Sequence, residues 1–205
     1  MRNKLESTIK QLTHDEFINF KYHKKILFCS PLDDIISGYY FEFKSDYLYL
    51  WRFSLPIFLP IENITFTFGE RINDPKTGAA IFKIDEDNFE FSLSSIKSII
   101  NKTKVDVCKM SEIEHFYNAY ISDVNSYAKS KIMAYVSCYL KKEDGLLEKF
   151  IDNANAELEN SEWVKDDLKS ILILKQAIKD NKQLDLFYKW KSETLKKIGL
   201  SKYSN

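Results

Sequence analysis

The chain has 205 residues, 44% hydrophobic and 29% charged, enough for one large domain or two small ones with a buried core, and too apolar for disorder. Lys and Arg total 30 against 30 Asp and Glu, so no global field gathers nucleic acid or anionic membrane. Only 5 glycines and 4 prolines occur, which disfavours folds built on Gly-rich phosphate loops and favours long uninterrupted elements.

Residues 4–22 read as helical, with Leu5, Ile9, Leu12, Phe17 and Phe20 recurring at helical spacing. A capping box from Thr13 to Glu16 would split this segment in two without changing its buried side. The period then shortens. Ile26-Leu27-Phe28-Cys29 is a strand-like run ended by Ser30-Pro31. Gly38–Phe43 and Tyr47–Phe53 are rich in strand formers and flank the turn Lys44-Ser45-Asp46, predicting a hairpin. Ile64, Phe66 and Phe68 alternate as a further strand, and Asn73–Gly78 is a strong turn before a strand at Ala80–Ile84. Together these predict an antiparallel meander of four or five strands.

Helical signals dominate after Phe91. Ser94 is placed to cap a helix through Asn101. The box Ser111-x-x-Glu114 opens a long helix whose stripe includes Ile113, Phe116, Tyr120, Val124, Tyr127, Ala134 and Cys138. Asp144-Gly145 breaks it. Helices follow over about 146–159, 162–179 and 183–197, and Gly199 stops the last before a polar tail. In the 162–179 helix, Val164, Leu168, Ile171, Leu172 and Ile178 are expected on one apolar face. The fold class expected is α+β, an antiparallel four- or five-stranded sheet in the N-terminal half packed with helices, and a helical C-terminal half. Residues 1–205 are read as one domain, with a possible subdivision into 1–103 and 104–205.

The chemistry-bearing residues do not assemble into a motif. Cys29, Cys108 and Cys138 are odd in number, widely spaced and without a CxxC pair, which suggests a reducing compartment and no disulfide framework. His14 and His23, on one continuous helix, would face opposite sides. Glu112-x-x-His115 has the spacing of half a di-iron motif, but no second Glu-x-x-His occurs. Asp33-Asp34 and Asp85-Glu86-Asp87 read as solvated turns. Lys182, Lys189, Lys191, Lys196, Lys197 and Lys202, with Phe187, Tyr188 and Trp190 interleaved, form a basic aromatic segment; with three arginines in the whole chain, base readout is disfavoured. The start lacks the apolar core of a signal peptide, and no run of apolar residues is long enough to span a membrane, so a cytoplasmic protein is expected.

Trp51-Arg52-Phe53-x-x-Pro56-x-x-x-Pro60, then Ile64-x-Phe66-x-Phe68-Gly69-x-Arg71, is similar to a segment of uncharacterised bacterial proteins of unknown function, some of them among toxin-immunity and phage-defence genes. The resemblance covers about residues 47–72. Gly69 would bend the chain at a strand end, leaving Arg71 at the rim of the sheet beside Tyr49 and Trp51 as a binding anchor. The function expected is a non-catalytic protein-binding module, immunity-like or defence-associated, with Trp51, Arg71 and Tyr49 as binding residues. The alternatives are a thiol-based hydrolase or transferase assembled from Cys29, His23 and Asp33, and a weak nucleic-acid binder using the C-terminal lysines. No catalytic residue, metal ligand or cofactor is assigned. The partner expected is another protein, nucleic acid and membrane are disfavoured, and no oligomeric state follows from the sequence.

Overall fold

The computed structural model describes residues 2–158 and 164–204. The chain divides into two compact units, one of Met1–Leu55, Phe68–Glu112 and Tyr203–Asn205, the other of Pro56–Thr67 and Ile113–Lys202. The fold is α+β, with an antiparallel sheet in the N-terminal half and helices concentrated in the C-terminal half.

The first unit starts with α1 (Arg2–Asp15), whose Leu5, Ile9 and Leu12 are buried. The helix ends earlier than its apolar spacing suggests, because Phe20–His23 is a strand, β1, pairing with β2 (Ile26–Cys29) through the tight turn at Lys24 and Lys25. Phe17 and Phe20 are buried from the connection and the strand, so burial at similar spacing imitated one continued helix. No capping box forms at Thr13; its hydroxyl donates back to the Lys10 carbonyl at 2.7 Å.

The sheet order is β1-β2-β3-β4-β5, where β3 is Ile35–Phe43, β4 is Tyr47–Pro56 and β5 is Gly69–Ile72; β6 (Phe82–Lys83) also pairs with β4. The strand expected over Ile64–Phe68 does not form. β5 begins only at Gly69, opposite Phe53, and Ser54 N–H reaches the Phe68 carbonyl at 3.0 Å before the chains part. Gly38 lies opposite Phe28, where a Cβ would sit 2.1 Å from the Leu27 carbonyl oxygen; only glycine permits that approach.

Strand alternation sends Leu27, Tyr39, Phe41, Leu48 and Leu50 into a core shared with α1 and α2 (Phe89–Lys109). Helix α2 starts before the expected cap at Ser94. Phe89 is buried in the core, and the Asp85 carboxylate accepts Asn88 N–H at 2.9 Å, so residues 85–88 lead into the helix. Its buried residues Ile96, Ile99, Ile100 and Val107 face the sheet. The Ser37 hydroxyl donates to the Val107 carbonyl at 2.7 Å, and Tyr39 and Thr103 share a 2.6 Å hydrogen bond, so the possible subdivision at 103 falls inside an element bound to the sheet. The chain's end also belongs here. Tyr203 packs edge-on against His23 and Phe28, and Leu32 bridges Ser204.

The second unit packs α3 (Ile113–Tyr120), α4 (Tyr127–Tyr139), α5 (Leu146–Leu158), α6 (Val164–Lys179) and α7 (Gln183–Ile198). The long helix expected from 111 is broken: Ser126 is extended and caps α4 by accepting Lys129 N–H. Gly199, at φ 75°, ends α7 as expected. Residue 159 and residues 162 and 163, expected at helix ends, lie outside the described residues. On α6, Val164, Ile171 and Leu174 are buried, while Leu172, expected on that face, is 63% exposed. The segment 56–67 contributes Phe58, stacked on Tyr139 at 4.3 Å, and Leu59, whose carbonyl accepts the Thr194 hydroxyl at 2.5 Å.

Candidate functional site

On β4 the alternation that buries Leu48 and Leu50 turns Tyr47, Tyr49 and Trp51 to the opposite face, where all three are half-buried. The β4–β5 register sets Arg71 directly opposite Trp51 and Glu70 opposite Arg52. Arg71 is exposed, and its guanidinium carbon lies 4.0 Å from the Tyr49 ring centroid and 4.7 Å from that of Trp51. Tyr49 sits diagonal to Arg71 and Trp51 directly across, within reach of a long side chain on the same face. Each such contact contributes about 0.5–1 kcal/mol at an exposed site. The structure therefore brings together the three residues expected to bind.

The neighbouring charges are committed. Trp51 Nε1 donates to Glu42 Oε2 at 3.0 Å, and Lys44 pairs with Glu42 Oε1 at 2.9 Å. The Lys44 ammonium, aided by the Trp51 N–H, holds the Glu42 carboxyl below its ordinary range. A hydrogen bond to Tyr49 pushes the Tyr47 phenol up. Arg2 pairs with Glu6 and Arg52 with Glu70. Arg71 makes no ion pair or hydrogen bond through its guanidinium among the described residues, so its planar fork is positioned by two rings with its donors unclaimed. Glu42 is the member of this group that sequence reading missed; its parity on β3, one strand from Trp51, was the available signal.

The thiol centre expected as an alternative is not assembled. Cys29 is disulfide-bonded to Cys108, which corrects the reading of unpaired cysteines. The bond joins the end of β2 to the end of α2, elements 79 residues apart, so no local spacing announces it. His23 lies at the far end of the β1–β2 ladder from Cys29, on the opposite face of the sheet and not on a helix. Asp33 and Asp34 lie in the loop after β2. A groove of about 520 Å³ opens beside Cys108, lined by Phe17, Ile18, Lys104 and Val105. Cys138 is the remaining thiol, pushed up to about 12 by burial, with Glu148 and Asp144 adding to the shift. At that value it is a protonated packing residue rather than a nucleophile.

His14 lies in the last turn of α1 and His115 on α3, both exposed. Among the described residues no group of three or more His, Cys, Asp or Glu is arranged to hold a metal ion. On α7, Phe187 and Trp190 are buried, leaving Tyr188 as the exposed ring of that segment's three. The basic segment therefore has lysines without the interleaved stacking platform its sequence suggested. No described helix is long and apolar enough to cross a membrane. Comparison of the chain with protein-family models, curated proteins and solved structures finds no match.

Proposed function

We propose that this chain is a non-catalytic protein-binding module that engages its partner through Tyr49, Trp51 and Arg71, and that it serves as an immunity-like or defence-associated factor. The observation that carries this reading is the unclaimed Arg71 guanidinium held against two aromatic faces. Stacking of this kind restrains the side chain before any partner arrives and lowers the ordering cost of binding. Arginine and tryptophan are also the side chains on which interface energy concentrates. The flanking Glu42–Lys44 pair supplies a polar edge to this surface. A cytoplasmic setting loses part of its ground with the Cys29–Cys108 bond, because cytosolic thiols are generally kept reduced.

The test is affinity capture from the native host with the wild-type chain, Arg71→Ala and Trp51→Ala, quantified by mass spectrometry. A protein retained by wild type and depleted at least tenfold from both variants is expected. Identical retention by all three baits would refute this surface as the contact.

A further inference from the structure

Resting on that reading, we infer that the group Arg71 receives from the partner is a single carboxylate, an Asp or Glu side chain presented from a protein surface. The guanidinium's donors have no hydrogen-bond acceptor among the described residues, although the Glu42 carboxylate lies on the same face and feels its charge. Glu42 is occupied by Trp51 and Lys44. The Arg71 fork thus lies near a carboxylate whose two oxygens are already taken by other donors. A planar fork takes a carboxylate through two parallel N–H···O bonds.

The same surroundings select against a polyanion. Nucleic acid carries a phosphate every few ångströms, whereas Lys44 beside this face is already paired with Glu42 and offers no second unclaimed cation to a strand anchored on Arg71. A lone carboxylate brings no second charge. The rings that hold Arg71 also have one face each engaged by it, which leaves less of them as platforms for stacked bases.

The experiment follows the Arg71 Nε–H and Trp51 Nε1–H signals of the ¹⁵N-labelled full chain by NMR, assigned through Arg71→Lys and Trp51→Phe. The probes are a blocked pentapeptide with one central glutamate between leucines, its glutamine counterpart, inorganic phosphate and decathymidylate. The glutamate peptide is expected to shift both signals saturably, the glutamine peptide to bind at least tenfold more weakly, and Arg71→Lys to weaken the glutamate peptide about tenfold through loss of the fork. Equal binding of both peptides overturns the carboxylate while leaving a peptide-binding surface. Tighter binding of phosphate or decathymidylate overturns it in favour of a phosphate ligand. If no probe moves either signal, the carboxylate assignment fails, whereas the protein-binding reading stands or falls by the capture experiment.

Discussion

Reducing the Cys29–Cys108 bond is the perturbation whose magnitude follows most directly from the structure. The cross-link closes 79 residues, and the chain-entropy relation for that length gives about 15 cal/mol/K, or about 4.5 kcal/mol at 25 °C. Against a usual total of about 5–15 kcal/mol, such a loss is a large share of the stability. The comparison is between oxidised and reduced wild-type chain in urea, followed by circular dichroism, because Cys29 is buried and its replacement would add a cavity cost. Cys108 lines the groove beside it and is the less buried end of the bond. Alkylation of the denatured, unreduced chain should label one cysteine, Cys138. Three labelled cysteines, or a reduced chain within about 1 kcal/mol of the oxidised one, would refute the argument.

Two further predictions concern stability. Gly38→Ala should cost at least about 3 kcal/mol, since its Cβ would meet the Leu27 carbonyl oxygen at 2.1 Å and the Phe28 Cα at 2.7 Å; an unchanged melting temperature would mean β2 and β3 are not this close. Asp144 accepts from the Tyr117 hydroxyl at 2.6 Å, the Ser137 hydroxyl at 2.7 Å and Leu146 N–H at 3.0 Å. Burial pushes its carboxyl up, but these bonds outweigh burial and hold it below its ordinary value. Its contribution is therefore full above the unfolded-state value and lost as pH falls through the lower folded-state value. Asp144 is exposed, so solvent screening reduces the expected cost of Asp144→Asn to about 1 kcal/mol at neutral pH. Urea midpoints should converge with wild type in acid, and a pH-independent gap would contradict the assignment.

Where periodicity and punctuation agreed, the sequence was readable. Leu146, Val164 and Gln183 open helices close to where the apolar spacing set them, and the Lys44–Asp46 turn joins β3 to β4. Misreadings arose where one burial pattern served two structures. Phe17 and Phe20 continued a helical spacing while belonging to a connection and a strand, and Ile64 to Phe68 alternate without forming a strand. The break between α3 and α4 depends on Ser126 choosing an extended backbone and a cap, which the surrounding stripe concealed. At the candidate site, the parity of Tyr49 and Trp51 was legible from β4 alone. The stacking of Arg71 on both rings required the β4–β5 register, which is a tertiary property. The disulfide was illegible for the same reason.

The central claim is that Arg71, held by Tyr49 and Trp51, carries the contact with a protein partner. Its most direct test is calorimetric titration of the captured partner into wild type, Arg71→Ala and, as a remote control, Lys189→Ala on the exposed side of α7. The account predicts a loss of about 2 kcal/mol, or about 30-fold in Kd, for Arg71→Ala and no change for Lys189→Ala. Equal affinity of Arg71→Ala and wild type would contradict it.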